Sequence, residues 1–103
     1  DVYTVAGIMA MQDLGFYKKG EAGKACLEEQ CHFDSGKVAI NTSGGLKARG
    51  HPIGATGVAQ IVEITEQLRG SADKRQVDGA KYGLAQSVGG IGSAVTVSIL
   101  EAI

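Results

Sequence analysis

A glycine-rich segment around His51 carries the residue types in this chain that could do chemistry. The segment spans residues 41–57, with His51 directly before Pro52 and a few residues before a predicted helix. The partial positive charge of a helix N-terminus disfavours an imidazolium. A neutral imidazole there could accept a proton or donate a hydrogen bond to a developing oxyanion. Proline restricts the backbone beside the histidine, and the flanking glycines let a substrate or another backbone approach closely.

Two other interpretations of this segment stay open on its residues alone. One is a phosphate-binding loop, because Gly45 to His51 has the spacing of a G-x4-G loop. However, the Lys-Ser or Lys-Thr ending of a P-loop is missing, and so is the G-x-G-x-x-G pattern. The other is a tightly packed turn whose histidine is purely structural. The segment lies between a predicted strand and a predicted helix, which is where α/β folds place their ligands.

A second glycine-rich segment covers residues 86–93 and lies between two predicted strands. Its glycines expose backbone N–H groups that could bind a carbonyl oxygen or an oxyanion. The alternative is a plain hairpin turn with glycines at positive φ. Ser87 is a conceivable nucleophile, but the G-x-S-x-G elbow that activates such a serine does not surround it.

The two cysteines form neither a redox motif nor a metal-ligand pattern. Cys26 and Cys31 are five residues apart, which fits neither CxxC nor half of a four-ligand zinc site. His32 follows Cys31, but the chain has no second ligand pair. We therefore predict no metal site and two reduced thiols that are buried or inert.

Apolar periodicity predicts the elements that must position these segments. In chain order they are a helix over 4–14, a weaker helix over 21–30 with Ala22, Ala25 and Cys26 on one side, a turn at 33–36, a buried strand at 38–40, a long helix after Gly57, a surface loop at 71–78, and an antiparallel pair of strands over 80–86 and 94–100. The long helix is the clearest, and Arg69 and Gly70 suit its end. Its predicted apolar face carries Val58, Ile61, Val62, Thr65 and Leu68.

Composition indicates a folded domain and excludes several classes of partner. The 103 residues include 16 glycines, 44% are hydrophobic and 20% are charged, as in ordinary folded domains. A formal net charge of -1 with interspersed charges gives no basic face for nucleic acid or a membrane surface. No apolar run approaches the ~20 residues of a membrane helix, and no secretion signal is visible. A cytoplasmic protein is the expectation.

Together the two glycine-rich segments resemble the C-terminal active-site motif of thiolases. The residues that carry the resemblance are Asn41, Gly44, Gly45, Gly50, His51, Pro52, Gly54 and Gly57. The opening residues 1–4 are similar to the tail of the His-Asp-x-Phe segment of archaeal and sterol-carrier-protein-type thiolases. The resemblance implies that residues 1–103 are a thiolase-like C-terminal portion of a longer chain. It also implies an α/β fold whose helices are layered against a mixed sheet ending in an antiparallel strand pair.

The resemblance implies a chemistry as well. Thiolases join or cleave acyl-CoA units through an acyl-thioester on a cysteine in their N-terminal half, so coenzyme A thioesters would be substrates and no bound cofactor is expected. His51 would activate that cysteine and contribute to an oxyanion hole, and the backbone at Val88 and Gly89 would form a second hole. Asn41 and Gly45 would contact substrate. A homodimer or homotetramer is expected, and some relatives also work beside a small zinc-ribbon, OB-fold partner.

The chain departs from the thiolase pattern at the second acid/base. Many thiolases carry a cysteine, and archaeal-like relatives a His-Asn pair, where this chain has Gln86 and Ser87. The sterol-carrier-protein type keeps its cysteine at the position of Val2. Glutamine can position water or donate a hydrogen bond, but it cannot act as a base near pH 7. Three alternatives follow: an altered acid/base, a related retro-aldol cleavage of a carbon–carbon bond, or a weakened enzyme. A non-catalytic thiolase-like interaction subunit is a separate hypothesis, based on the same missing cysteines.

Overall fold

A computed structural model describes residues 2–34 and 36–103. The chain divides into two compact units, Asp1–Gly50 and His51–Ile103. The elements in chain order are α1 (Thr4–Asp13), α2 (Ala22–Leu27), α3 (Gly45–Arg49), α4 (Thr56–Leu68), a short 3-10 helix (Asp73–Arg75), β1 (Tyr82–Gly89) and β2 (Ala94–Glu101). The α/β class is confirmed, although the described residues contain only a two-stranded antiparallel sheet instead of a mixed one.

The first unit is built on α1 and α2. Helix α1 ends as predicted, since Gly15 adopts a φ of 83° and its N–H bonds to the carbonyl of Gln12 at 3.0 Å. The buried core consists of Met11, Tyr17, Ala22 and Ala25, with Ile8, Phe16, Cys31 and Ile40 packed against it.

Two predictions for the first unit are wrong in part. Helix α2 stops at Leu27 instead of residue 30, because Glu29 takes a φ of 58°, outside the helical region. Residues 38–40 do not form a strand: the N–H groups of Val38 and Ile40 bond to the carbonyls of Gln30 and Cys31, in a loop. No strand of the described residues pairs with residues 38–40, so these bonds do not form a β-ladder. The short helix α3 lies within the glycine-rich segment 41–57, where no helix was predicted.

Two residues of the sequence patterns lie outside the described part of the chain. They are Asp1, in the segment similar to His-Asp-x-Phe, and Ser35, in the turn predicted over 33–36. Phe33 and Asp34 do lie in a turn.

The second unit packs α4 on a β-hairpin, and the hairpin prediction is confirmed. Strand β1 pairs with β2 from Tyr82 opposite Glu101 to Gly89 opposite Ala94. Ile64 of α4 lies so close to the backbone of Gly83 that an added Cβ would come within 2.3 Å of its Cγ2 atom. This position therefore requires glycine because helix and strand approach too closely for a side chain.

The inward face of α4 matches the predicted apolar face only in part. Ile61, Thr65 and Leu68 are half-buried, but Val58 and Val62 are 65% and 51% exposed, whereas Thr56 and Gln67 are each only 8% exposed. The difference arises because the inward glutamine gains hydrogen bonds that hydropathy does not record. Its amide donates to the carbonyl of Arg75 at 2.8 Å and accepts from the N–H of Val77 at 2.8 Å.

The loop predicted over residues 71–78 is anchored more firmly than its polarity suggests. Ala72 is fully buried, and Arg75 bonds through its Nε to both carboxylate oxygens of Glu63 at 3.0 and 2.9 Å. Within residues 2–34 and 36–103, no helix is both long and apolar enough to cross a membrane.

Candidate functional site

His51 opens the second unit and lies just before α4. Its side chain is exposed, and its Nδ1 atom lies 2.7 Å from Oγ1 of Thr56, the first residue of the helix. The intervening residues form a tight turn, because the N–H groups of Ala55 and Thr56 both bond to the carbonyl of Pro52, at 2.9 and 3.0 Å. The imidazole is thus tethered at one nitrogen and open to solvent.

The first turn of α4 connects this histidine with the second glycine-rich segment. A Cβ added to Gly57 would lie 3.7 Å from Oγ of Ser87, so the helix backbone and the serine are in ordinary contact distance. One turn further on, the amide of Gln60 donates to the carbonyl of Gln86 at 2.8 Å. These two contacts hold the start of the second segment against the helix that follows His51.

The hairpin register decides where the backbone N–H groups at Val88 and Gly89 point. The N–H of Ala102 bonds to the carbonyl of Lys81 at 2.9 Å, one step beyond the strand pair. Hydrogen-bonded pairs alternate along an antiparallel ladder, so Gly89 falls on a pair bonded to β2. Val88 falls between such pairs, and its N–H points away from β2.

The two residues at the expected acid/base position, Gln86 and Ser87, extend from opposite faces of β1. The side chain of Ser87 lies on the face of β1 that packs against α4, beside Gly57. Because successive side chains leave a strand on opposite faces, Gln86 projects from the other face, together with Val88. The backbone carbonyl of Gln86 nevertheless contacts α4, because it accepts the hydrogen bond from Gln60.

The other two predicted site residues lie in the first unit and close to each other. Asn41 has a φ of 51°, and its carbonyl accepts the N–H of Gly44 at 2.8 Å. Gly45 is buried at a φ of 65°, where an added Cβ would come within 3.2 Å of Cγ of Asn41. The glycine therefore both permits the left-handed backbone at the start of α3 and leaves room for the asparagine side chain.

The two thiols lie next to each other, with Sγ of Cys26 3.2 Å from Sγ of Cys31. Cys31 in turn contacts Met11 and Tyr17, each at 3.8 Å. Cys26 is exposed as a residue, but partial desolvation of its thiol, with further contributions from the hydrogen bond and the charge of Cys31, raises the pKa of Cys26 to about 11. Across the described ranges 2–34 and 36–103, no three of the His, Cys, Asp and Glu side chains are grouped so that they could hold a metal ion.

The raised pKa predicts slow alkylation of Cys26 in the folded protein. A pKa of about 11 leaves roughly one thiolate per thousand thiols at pH 8, and only the thiolate is nucleophilic. Iodoacetamide labelling of Cys26, followed by peptide mass spectrometry, should be slow at pH 8 and accelerate towards pH 11. Replacing Cys31 with Ala removes the neighbouring thiol and should speed labelling at pH 8. Equal rates in folded and urea-unfolded protein at pH 8 would contradict the prediction.

Two residues that contact the candidate site, Thr56 and Gln60, were not predicted from the sequence. A threonine five residues after a candidate catalytic histidine, in the first turn of a helix, is within reach of the ring, but its side-chain direction is not visible in sequence. Gln60 lies one turn after Gly57 on the same helix face, which is the signal that could have placed it against β1.

The chain matches a family described as thiolase C-terminal domain-like over residues 1–102, and it therefore belongs to that family. It is 50% identical over 101 residues to an acetyl-CoA acetyltransferase of Methanothermobacter thermautotrophicus, covering 98% of this chain and 26% of that protein. An acetyl-CoA acetyltransferase of Methanocaldococcus jannaschii is 44% identical over 105 residues, covering 98% of this chain and 27% of that protein.

A second group of relatives carries a different name. Sterol carrier protein 2 of Bos taurus is 44% identical over 101 residues, covering 98% of this chain and 18% of that protein. A protein of Caenorhabditis elegans named non-specific lipid-transfer protein-like 2 is 39% identical over 99 residues, covering 96% of this chain and 24% of that protein. The chain thus spans about a quarter or less of the length of the curated relatives it matches.

Proposed function

We propose that this chain is part of an acyl-CoA acyltransferase of thiolase type, which cleaves 3-ketoacyl-CoA with coenzyme A or condenses two acyl-CoA units. The observation that carries the proposal is the tethered, solvent-facing imidazole of His51, held by Thr56 at 2.7 Å next to a second glycine-rich segment. The family membership and the acetyltransferase names of two relatives support the same activity.

In the first half-reaction a cysteine of the full-length protein, outside these 103 residues, would attack the acyl-CoA carbonyl. His51 would accept the thiol proton through Nε2 as the sulfur–carbon bond forms. The tetrahedral intermediate then collapses to an acyl-thioester on the cysteine, and the proton passes to the departing coenzyme A thiolate. Atoms and protons balance, since one thioester replaces another and free coenzyme A leaves.

The oxyanion of that intermediate needs donors placed before the reaction begins. The N–H of Val88 points away from the hairpin ladder and is suited to this task, whereas the ladder occupies the N–H of Gly89. Protonated Nε2 of His51 would be a further donor. Asn41 and Gly45 are proposed to contact substrate, as in the family motif.

The residues at the expected second acid/base position, Gln86 and Ser87, support alternatives to an ordinary thiolase reaction. Neither Gln86 nor Ser87 is a base near pH 7, and the side chain of Gln86 projects from the face of β1 opposite α4. Ser87, beside Gly57, could orient a water or a substrate oxygen in an altered reaction such as retro-aldol cleavage. The second candidate is a non-catalytic thiolase-like subunit, which the lipid-transfer name of a relative also favours.

Intact-protein mass spectrometry separates the two candidates. The full-length protein is incubated with acetyl-CoA, and the reaction is followed by release of free coenzyme A and by the mass of the protein. The enzyme predicts an acetyl adduct on a cysteine that is lost on adding excess coenzyme A. No adduct and no coenzyme A release would contradict catalysis and favour the non-catalytic subunit.

Assembly and location belong to the same proposal. We expect the full-length protein to form a homodimer or homotetramer in the cytoplasm, and a small zinc-ribbon, OB-fold protein is a candidate partner. Sedimentation equilibrium of the full-length protein tests the assembly, because a monomer at micromolar concentration would contradict it.

A further inference from the structure

Thr56 contacts His51 but has no role in the proposed reaction. Its side chain is only 8% exposed, and its Oγ1 atom lies between two polar neighbours. One is Nδ1 of His51 at 2.7 Å, and the other is the carbonyl of Pro52 at 3.3 Å. The second contact is the bond that a threonine hydroxyl can make to the carbonyl four residues earlier, and that carbonyl also accepts the N–H groups of Ala55 and Thr56.

The chemistry of these three groups allows two arrangements of their protons. A hydroxyl has one proton and two lone pairs, and a backbone carbonyl can only accept. In the first arrangement the proton of Thr56 goes to the carbonyl of Pro52, a lone pair of Oγ1 faces His51, and Nδ1 is the donor. In the second arrangement Thr56 donates to Nδ1, and the imidazole carries its proton on Nε2. A neutral imidazole with its proton on Nδ1 carries its lone pair on Nε2.

We propose that Thr56 is a positioning residue that fixes His51 as the Nδ1–H tautomer and so keeps Nε2 ready to accept the nucleophile's proton. The inference rests on the proposed function, which requires a lone pair on Nε2 and therefore selects the arrangement in which Nδ1 donates to Thr56. When Nε2 takes up a proton, the Nδ1–H bond to Thr56 stays in place, so the ring need not turn. The new Nε2–H group then points at the same atoms from which the proton came.

The hydroxyl can be removed with little change of shape. Thr56→Val keeps the branched side chain and loses both hydrogen bonds, whereas Thr56→Ser keeps the hydroxyl. Thr65→Val is the matched control, because Thr65 lies in the same helix and bonds in the same way to the carbonyl of Ile61 at 2.8 Å. All three variants are made in the full-length protein, with thermal unfolding as the check on folding.

The first readout is the rate of acyl-enzyme formation from acetyl-CoA. Thr56→Val should lower it about 10- to 100-fold, as removal of other partners that orient a functional histidine does. Thr56→Ser should restore it to near the wild-type rate, and Thr65→Val should leave it unchanged. An unchanged rate in folded Thr56→Val, a failure of serine to restore it, or an equal loss in Thr65→Val would overturn the positioning role.

The second readout does not depend on activity. Nitrogen-15 NMR of the imidazoles, with the His51 signal identified by its loss in His51→Gln, distinguishes the two neutral tautomers. The proposal expects Nδ1–H in the wild type and in Thr56→Ser, and a mixed or Nε2–H population in Thr56→Val. A wild-type ring that is mainly Nε2–H overturns the proposal. If the tautomer is as expected but His51→Gln forms acyl-enzyme at full rate, the proposed function fails while the tautomer assignment stands.

Discussion

Replacing His51 with Ala in the full-length protein should reduce the rate of acyl-enzyme formation by about 10²- to 10⁴-fold, the usual contribution of a positioned general base. The reason is that the attacking thiol would then lose its proton to solvent instead of to Nε2. The loss should fall on the chemical step, so the burst of coenzyme A release on mixing with acetyl-CoA is the quantity to measure. Binding of acetyl-CoA should change much less.

The other histidine of the chain supplies the control. His32 is exposed, and its Nδ1 bonds to the carboxylate of Asp34 in the first unit. His32→Ala should leave the burst rate within about twofold of the wild type, because a surface pair contributes little. An undiminished burst rate in His51→Ala would remove His51 from the mechanism, and an equal loss in His32→Ala would make the effect of either substitution non-specific.

Gln67→Leu should lower the free energy of unfolding by about 2–4 kcal/mol, because a buried hydrogen-bonding group left without its partner costs about 1–3 kcal/mol. The amide of Gln67 satisfies the carbonyl of Arg75 and the N–H of Val77. Leucine fills the space but leaves both backbone groups without that partner, and the loop after α4 loses its attachment. Urea unfolding of the full-length protein measures the change.

The same substitution at Gln30 is the control for this loss. Its amide donates to the exposed carboxylate of Glu28 at 2.9 Å, so Gln30→Leu should change the free energy of unfolding by less than about 1 kcal/mol. If Gln67→Leu is no more destabilising than Gln30→Leu, the bonds of Gln67 do not anchor the loop.

Local patterns were sufficient for the elements whose signals lie within one short stretch of sequence. Helix α1 ends before Gly15, α4 ends before Arg69 and Gly70, and the β-hairpin closes over the second glycine-rich segment. Each of these rests on a stop signal or a turn adjacent to the element itself. The motif around His51 is similarly local, which is why the resemblance to thiolases could be recognised from residues alone.

The remaining differences depend on partners distant in the sequence. Residues 38–40 are apolar and short enough for a strand, yet the backbone bonds of Val38 and Ile40 go to Gln30 and Cys31 in a loop. Hydropathy also described the inward face of α4 only in part, because Gln67 is buried through hydrogen bonds to a later loop. Tertiary bonds of this kind override apolar periodicity, which measures only the residues of the helix itself.

The candidate site depends more on side-chain directions than the fold does. Sequence patterns pointed to His51 and the Gly89 turn but not to Thr56, since a threonine in sequence does not reveal which way its hydroxyl turns. The two backbone N–H groups at Val88 and Gly89 were taken together, and only the hairpin register distinguishes them. The alternation of the strand likewise places Gln86 and Ser87 on opposite faces, which a list of neighbouring residues does not convey.

In the proposed reaction, the loop bearing His51 and the N–H of Val88 that points away from β2 serve one acyl-thioester site. A crystal structure of the full-length protein, trapped after reaction with acetyl-CoA, tests it most directly. We predict the acyl oxygen about 2.7–3.1 Å from the backbone nitrogen of Val88, the range expected of an oxyanion donor, and the modified sulfur within hydrogen-bond reach of Nε2 of His51. An acyl group whose oxygen and sulfur contact neither residue would contradict the claim.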